Sequence, residues 1–251
     1  MLNFNKLVLN EWLKMSKKRS FFIAYAVMLI TVAGFTYLIK ELAQEGLPSM
    51  LEFAASIMST NGVGQIVTIV AIIFTAGIVA KEHQLGTVKF LLIRAHRRST
   101  ILASKYVAAI LFVCSLVIFT IAAALAASGI AFGFEGSAGD VTWLEVAKSM
   151  LFQTVYTTIY VTLTFMFGIL TRSSGATIGI GMTAVLLEGL LKMLLSSYDF
   201  SKYLLFMNTD LTLFTGSESA GGITFPSLVC AAYVALFLAV SFVTFKKRDI
   251  A

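Results

Sequence analysis

Charge is scarce in this sequence. Asp, Glu, Lys and Arg make up 13% of its 251 residues, against 58% hydrophobic residues, and the mean hydropathy is +0.89. A water-soluble domain needs a polar surface that this composition does not supply, so the expected solvent is a bilayer. Cysteine is scarce as well. Cys114 and Cys230 both fall inside apolar runs, which leaves neither a disulfide framework nor a metal-binding spacing. The two histidines, His83 and His96, share one loop that has no cysteine and little carboxylate, a poor ligand set for zinc. No G-x-x-x-x-G-K-[ST] run is present to cradle nucleotide phosphates. The apolar runs hold no His-Glu-x-x-His, paired aspartates or Ser–His set for intramembrane catalysis. The chain is therefore expected to be neither an enzyme nor the holder of a cofactor. No internal repeat, low-complexity tract or large loop appears, so residues 1–251 read as one membrane domain.

What the chain has is apolar length. Crossing a hydrocarbon layer of ~30 Å takes about 20 apolar residues in a helix. Six runs meet that need: 20–39, 62–80, 106–131, 150–171, 174–195 and 224–245. The fifth is interrupted by Glu188 and resumes to Leu195. A basic N-terminus before an apolar run also suits a secretory signal. Here the run is of spanning length, no small-x-small cleavage site follows it and five more runs come after, so a retained first helix is expected. The expected fold class is an all-α membrane protein with six transmembrane helices.

The charges that exist are sorted. Six spans put both termini on one side. Fifteen of the nineteen Lys and Arg residues then fall on that side, and ten of the thirteen acids on the other. The excess of Lys and Arg marks the cytoplasmic face, in a bacterial cell membrane by expectation. The net charge of +6 is thereby a topology signal and gives no reason to expect a nucleic-acid partner.

Residues 1–19 precede the first span. Val8, Leu9, Trp12, Leu13 and Met15 recur at helical spacing, with Lys14, Lys17 and Lys18 off that face. This pattern predicts an amphipathic interfacial helix, with Trp12 at headgroup level and the lysines toward anionic lipid. The alternative is a disordered basic tail that only sets topology. On the outer side, Met50, Phe53, Ala54, Ile57 and Met58 predict a short helix after Pro48, lying on the surface or dipping inward. The apolar residues of 196–222 predict packing against the bundle.

Polar residues interrupt two spans. Gln153, Thr157, Tyr160 and Thr164 follow one helical stripe, and Thr154, Thr158 and Thr162 its neighbour. They suit either hydrogen bonding between helices or the wall of a translocation path. Gly175 and Gly179, continued by Thr183, form a small-xxx-small pattern for close helix approach, within the chain or between copies. Glu188 and Lys192 are four apart with the acid first, the better order for a helical ion pair. Glu188 lies ~22 Å along its helix from the cytoplasmic start, toward the outer face. It is a candidate for the translocation path or one half of a snorkelling couple.

The stretch "KEHQLGTVKFLLIRAHRRSTILASKY", residues 81–106, carries six of the nineteen cations. Gly86 can end a helix and Thr87 can cap a short one, "VKFLLIR". Val88, Leu91 and Leu92 share a face of that helix. A second break falls near 95–98, and Ser99 or Thr100 can cap the third span, with Lys105 snorkelling at its base. Apolar residues on an ordered basic loop suggest docking, or contact with the membrane.

This stretch resembles the cytoplasmic loop of type-2 ATP-binding-cassette (ABC) exporter permeases. The residues carrying the likeness are Glu82, Gly86, Thr87, Leu91, Leu92, Arg98, Ile101 and Lys105, and Ala95 stands where the family has proline. The amphipathic N-terminal segment, the six spans and the terminal "FKKRDI" extend it over the whole chain. The resemblance implies a coupling helix docked on a separate ATPase subunit that holds ATP and Mg²⁺. It also implies a second permease copy, identical or not. Leu91 and Leu92 would anchor the ATPase contact. Arg94, Arg97 and Arg98 would pair with partner acids or lipid phosphates, and Glu82 with Arg98 or Lys105. Small permeases of this shape resemble exporters of amphipathic peptides, including antimicrobial ones. Drugs, ions and lipids are alternative cargoes. A channel or secondary transporter would show paired intramembrane charges or broken helices.

Overall fold

The computed structural model describes residues 4–43, 46–60, 62–84, 98–133, 141–215 and 222–247, with the backbone alone at 79–84 and 98. The described residues form helices and connecting turns, with no strand among them. The helices are α1 (Phe4–Ser16), α2 (Arg19–Leu42), α3 (Met50–Ile57), α4 (Val63–Gln84), α5 (Arg98–Phe132) and α6 (Trp143–Thr171). They continue with α7 (Ser174–Leu186), α8 (Glu188–Leu195), α9 (Leu205–Asn208) and α10 (Thr224–Lys247). Single 3-10 turns lie at Asp199–Tyr203 and Leu211–Phe214.

Among the described residues, α2, α5, α6 and α10 are long and apolar enough to cross a membrane. The apolar part of α4 with described side chains is shorter, Val63–Ile78. The continuous fifth span expected over 174–195 is instead two helices, α7 and α8, bent by 47° at Leu187. The bend has a cause in the sequence. Glu188 and Lys192 follow an apolar run, and α8 turns so that the Glu188 carboxylate reaches partners inside the protein while Leu190, Met193 and Leu194 stay exposed.

Other boundaries also move. α5 begins at Arg98, so Ser99 and Thr100 lie in its first turn rather than capping it. α6 begins at Trp143, seven residues before the apolar run, because the Glu145 carboxylate accepts from the Thr142 backbone N–H (3.2 Å). At the other end, Arg172 takes a left-handed conformation (φ 54°) and its N–H bonds the Gly168 carbonyl, which reverses the chain into α7 within two residues. The helix expected after Pro48 is α3. Ser49 caps it by accepting from Glu52 N, and Phe53, Ala54, Ile57 and Met58 are buried, so it dips into the bundle.

The central helix is α6, the most buried of the four, in contact with α3, α4, α5, α7 and α10. Helices α2 and α10 are the least buried and present broad apolar faces outward. An aromatic cluster binds the N-terminal part of the chain to this frame. Phe74 of α4 stacks on Phe112 of α5 with centroids 4.0 Å apart, and Phe21 and Tyr25 of α2 close around Phe112. The Tyr25 and Ser115 hydroxyls share a hydrogen bond of 2.7 Å. Phe74 and Phe112 are buried and Phe21 and Tyr25 half-buried, and the ring contacts among them favour a fixed packing of α2, α4 and α5.

Candidate functional site

Two polar constellations stand out, one at the start of α5 and one against the middle of α6. The first joins α1 to the base of α5. Glu11 and Met15 are buried on α1, with Val8 and Trp12 half-buried beside them. The Trp12 ring meets Phe21 edge-on, centroids 5.8 Å apart. The apolar face expected of this helix therefore divides: Val8, Trp12 and Met15 turn inward, while Leu9 and Leu13 remain exposed. Lys105 does not snorkel. It is 5% exposed and its Nζ lies 2.9 Å from Glu11 Oε2, because a buried ammonium requires an anionic partner. Lys14 donates to the other oxygen at 2.6 Å. Burial alone would raise the Glu11 pKa, but Lys105 and Lys14 outweigh it and hold the carboxyl below its ordinary value. Lys17 and Lys18 are exposed.

The expected docking residues mostly lie beyond view. Gly86, Thr87, Leu91, Leu92, Arg94 and Arg97, and with them the short coupling helix, are outside the described residues. Glu82 falls on α4 and Arg98 opens α5, by backbone.

The second constellation surrounds Glu188, which is 5% exposed at the α7–α8 bend. Tyr156 and Tyr160 of α6 donate to Oε2 at 2.5 and 2.6 Å. Thr209 donates to Oε1 at 2.6 Å, and Lys192 Nζ lies 2.6 Å from the same oxygen. A carboxylate offers about four acceptor positions. All are used, so this anion is a joint between α6, α8 and the segment after α9. Nearby, Asp210 Oδ2 accepts from Thr60 (2.6 Å) and Oδ1 from the Thr212 N–H (3.1 Å), tying the α3–α4 turn to the same segment.

One helical turn or so further along α6, Gln153 Nε2 donates to the Gly64 carbonyl (2.6 Å) and reaches Thr68 (3.2 Å) and Thr157 (3.1 Å). Thr68 and Thr157 also bond each other at 2.9 Å. Thr164 returns its proton to the Tyr160 carbonyl of its own helix. The stripe Gln153, Thr157, Tyr160 and Thr164 is thus wholly buried against α4 and α7, and in this conformation it joins helices. The neighbouring stripe binds α5 through Tyr106 and Thr162 (2.9 Å).

The close helix approach uses different glycines from those expected. Around Gly175 and Gly179 a Cβ would meet nothing within 4 Å. At Gly181 it would fall 2.6 Å from Thr164 Oγ1 and 2.7 Å from Ile72 Cγ2. At Gly64 it would fall 2.5 Å from the Ser59 carbonyl and 2.7 Å from Gln153 Oε1. Those two positions let α4, α6 and α7 touch.

Sequence reasoning placed Glu188 with Lys192 and put Tyr160 on the right stripe. It missed Glu11, Tyr156 and Thr209. Glu11 had a signal: it lies on the stripe of Val8, Trp12 and Met15, and an acid on an apolar stripe asks for a buried cation. Thr209 had none, because it comes to Glu188 through an irregular segment.

Comparison with known proteins gives a family and carries no activity with it. The chain is 32% identical over 199 residues to the Bacillus subtilis (strain 168) protein named Uncharacterized protein YhcI. That match covers 72% of this chain and 63% of YhcI, less than two thirds of the relative's length. Residues 15–251, from the end of α1 onward, match the family described as Protein of unknown function (DUF2705), and the chain belongs to that family.

Proposed function

We propose that this chain is the membrane permease subunit of an ATP-driven ABC exporter, working with a separate ATPase subunit and a second permease copy. The observation that carries the reading is the buried ion pair between Glu11 and Lys105. It fastens the N-terminal helix to the helix that starts directly after the loop bearing Gly86, Thr87, Leu91 and Leu92. Force applied to that loop by a docked ATPase would then move α1 and α5 together, as one lever. The aromatic cluster around Phe112 extends the connection to α2 and α4. On this reading ATP and Mg²⁺ belong to the partner, and Leu91 and Leu92 anchor it while Arg94, Arg97 and Arg98 meet its acids or lipid phosphates.

The proposed topology has six spans. α2, α5, α6 and α10 are four; α4 is the second in order, and α7 with α8 form a bent fifth. Both termini and the 85–97 loop face the cytoplasm, following the Lys and Arg excess. The proposed cargo is an amphipathic peptide, antimicrobial peptides included, because the Phe-, Met- and Thr-rich spans suit such molecules. Drugs, ions or lipids are the alternative cargoes. The polar joint at Glu188 and Gln153 would hold the outer half of the bundle rigid while the cytoplasmic half moves.

One observation favours a second reading. The α7–α8 break beside a buried carboxylate is a feature of secondary transporters. Reconstitution of the chain with and without a Walker-motif ATPase decides between them. Peptide export that stops with a hydrolysis-dead ATPase supports the exporter. Uptake or efflux by the permease alone, abolished by Glu188→Gln, supports the secondary transporter.

A further inference from the structure

The Gln153 amide, 1% exposed, lies between two sets of oxygen atoms. On one side Nε2 faces three acceptors: the Gly64 carbonyl at 2.6 Å, Thr157 Oγ1 at 3.1 Å and Thr68 Oγ1 at 3.2 Å. An amide nitrogen has two hydrogens for them. On the other side Oε1 is buried and has no hydrogen-bond partner among the described residues. Oε1 and the Met58 and Ser59 carbonyl oxygens lie 2.7, 2.8 and 2.5 Å from one point, where a Cβ on Gly64 would stand. All three are acceptors, and of them the Ser59 carbonyl accepts from the Gly62 N–H at 3.1 Å. Acceptors outnumber donors on both sides of this amide. Away from water such an excess costs free energy unless a donor or a positive charge enters it.

We infer that the Gln153 amide holds the place of a desolvated alkali cation, Na⁺ or K⁺. An ion at the Nε2 position has the Gly64 carbonyl and the Thr157 and Thr68 hydroxyl oxygens as ligands at 2.6–3.2 Å. To admit it, the amide reverses and draws back. Nε2 then donates to the Met58 and Ser59 carbonyls, and Oε1 becomes a fourth ligand. Each acceptor that lacked a donor thereby gains a partner. Neutral carbonyl and hydroxyl oxygens are the ligands that suit such ions inside membrane proteins. Divalent ions fit worse. Ca²⁺ takes oxygens at about 2.3–2.6 Å and Mg²⁺ at about 2.0–2.1 Å, with carboxylates among them. None of the four ligands is a carboxylate, and no group of three His, Cys, Asp or Glu residues that could hold a metal ion occurs among the described residues. The way in is the α3–α4 turn, where Ser59 is exposed. Beside it Asp210 Oδ2 accepts from Thr60 at 2.6 Å and brings negative charge to the entry. The inference rests on this cluster alone and stands whether or not an ATPase partners the chain.

The test uses the purified full chain in detergent, with choline chloride holding ionic strength constant. Binding of radioactive sodium, and of rubidium as the potassium stand-in, is measured by scintillation proximity. Saturable binding of at least one of the two ions is expected, and the ion that binds is thereby identified. The melting temperature should rise as that ion replaces choline, since a ligand of the folded state stabilises it. Thr157→Val and Thr68→Val keep the side-chain shape and each remove one ligand oxygen. Each should weaken binding at least ~10-fold, and either serves if the other fails to fold. Thr120→Val deletes a buried hydroxyl that bonds its own helix in α5, and should leave binding unchanged. Absence of saturable binding by both ions overturns the inference, as does one melting temperature in sodium, potassium and choline; the cluster then holds water. Equal weakening by Thr120→Val and the two ligand variants overturns it as well.

Discussion

Glu11 and Lys105 lie 94 residues apart in the chain and meet in a buried ion pair, Oε2 to Nζ 2.9 Å. Removing one partner of a buried ion pair typically costs about 3–5 kcal/mol. Glu11→Gln is expected to approach the lower end, because Lys14 also loses its partner but is half exposed and can turn to solvent. The double variant Glu11→Leu with Lys105→Met should recover most of the loss. Thermal unfolding of the wild type, Glu11→Leu, Lys105→Met and the double variant in detergent checks the cycle. Additive losses in the two single variants would show that the pair is not coupled.

The same carboxyl gives a pH dependence. Its pKa is lower folded than unfolded, so its contribution is complete above the ordinary carboxylate value and is lost as pH falls through the lower folded value. The melting temperature of the wild type should fall below about pH 4.5. Glu11→Gln should lack that part of the fall, measured at matched ionic strength.

Against the middle of α6, Tyr156, Tyr160 and Thr209 all donate to Glu188. Hydrogen bonds to a charged group contribute about 1.5–3 kcal/mol each. Tyr160→Phe should cost that much, and Tyr156→Phe a similar amount. In Glu188→Gln the same substitutions should cost less, since the acceptor has lost its charge. Unfolding curves of these variants measure the difference directly.

The glycines separate by what surrounds them. Gly64→Ala places a methyl against the backbone carbonyls of Ser59 and Met58, which cannot swing aside, and should destabilise strongly or fail to assemble. Gly181→Ala meets side chains and should cost less, about 1–3 kcal/mol. Gly175→Ala and Gly179→Ala enter open space and should stabilise the isolated chain by up to ~1 kcal/mol. Weaker association of copies in those two variants would place the exposed face of α7 between copies of the chain.

Much of this architecture could be read from residues, and the limits are instructive. The apolar runs locate α2, α5, α6 and α10, because spanning a bilayer imposes a length that sequence displays directly. Pro48 and the apolar spacing after it locate α3. The bend at Leu187 was hidden, since its apolar neighbours suit a straight helix. It follows from Glu188 reaching Tyr156 and Tyr160, a contact between segments 28 to 32 residues apart. The Gly175–Gly179 spacing makes no close contact within the chain, which leaves contact between copies as its other reading: spacing shows which residues share a face, not which face meets a neighbour. Lys105 was placed at the membrane edge because nothing local reveals that Glu11 folds back over it.

The central claim is that the 85–97 loop docks an ATPase that drives the α1–α5 lever. Its most direct test is co-purification of the chain with a candidate Walker-motif ATPase, with and without Leu91→Asp and Leu92→Asp together, alongside stimulation of that ATPase by the chain. The account predicts loss of the complex and of stimulation, with the variant's own melting temperature unchanged. An intact complex with normal stimulation would contradict it.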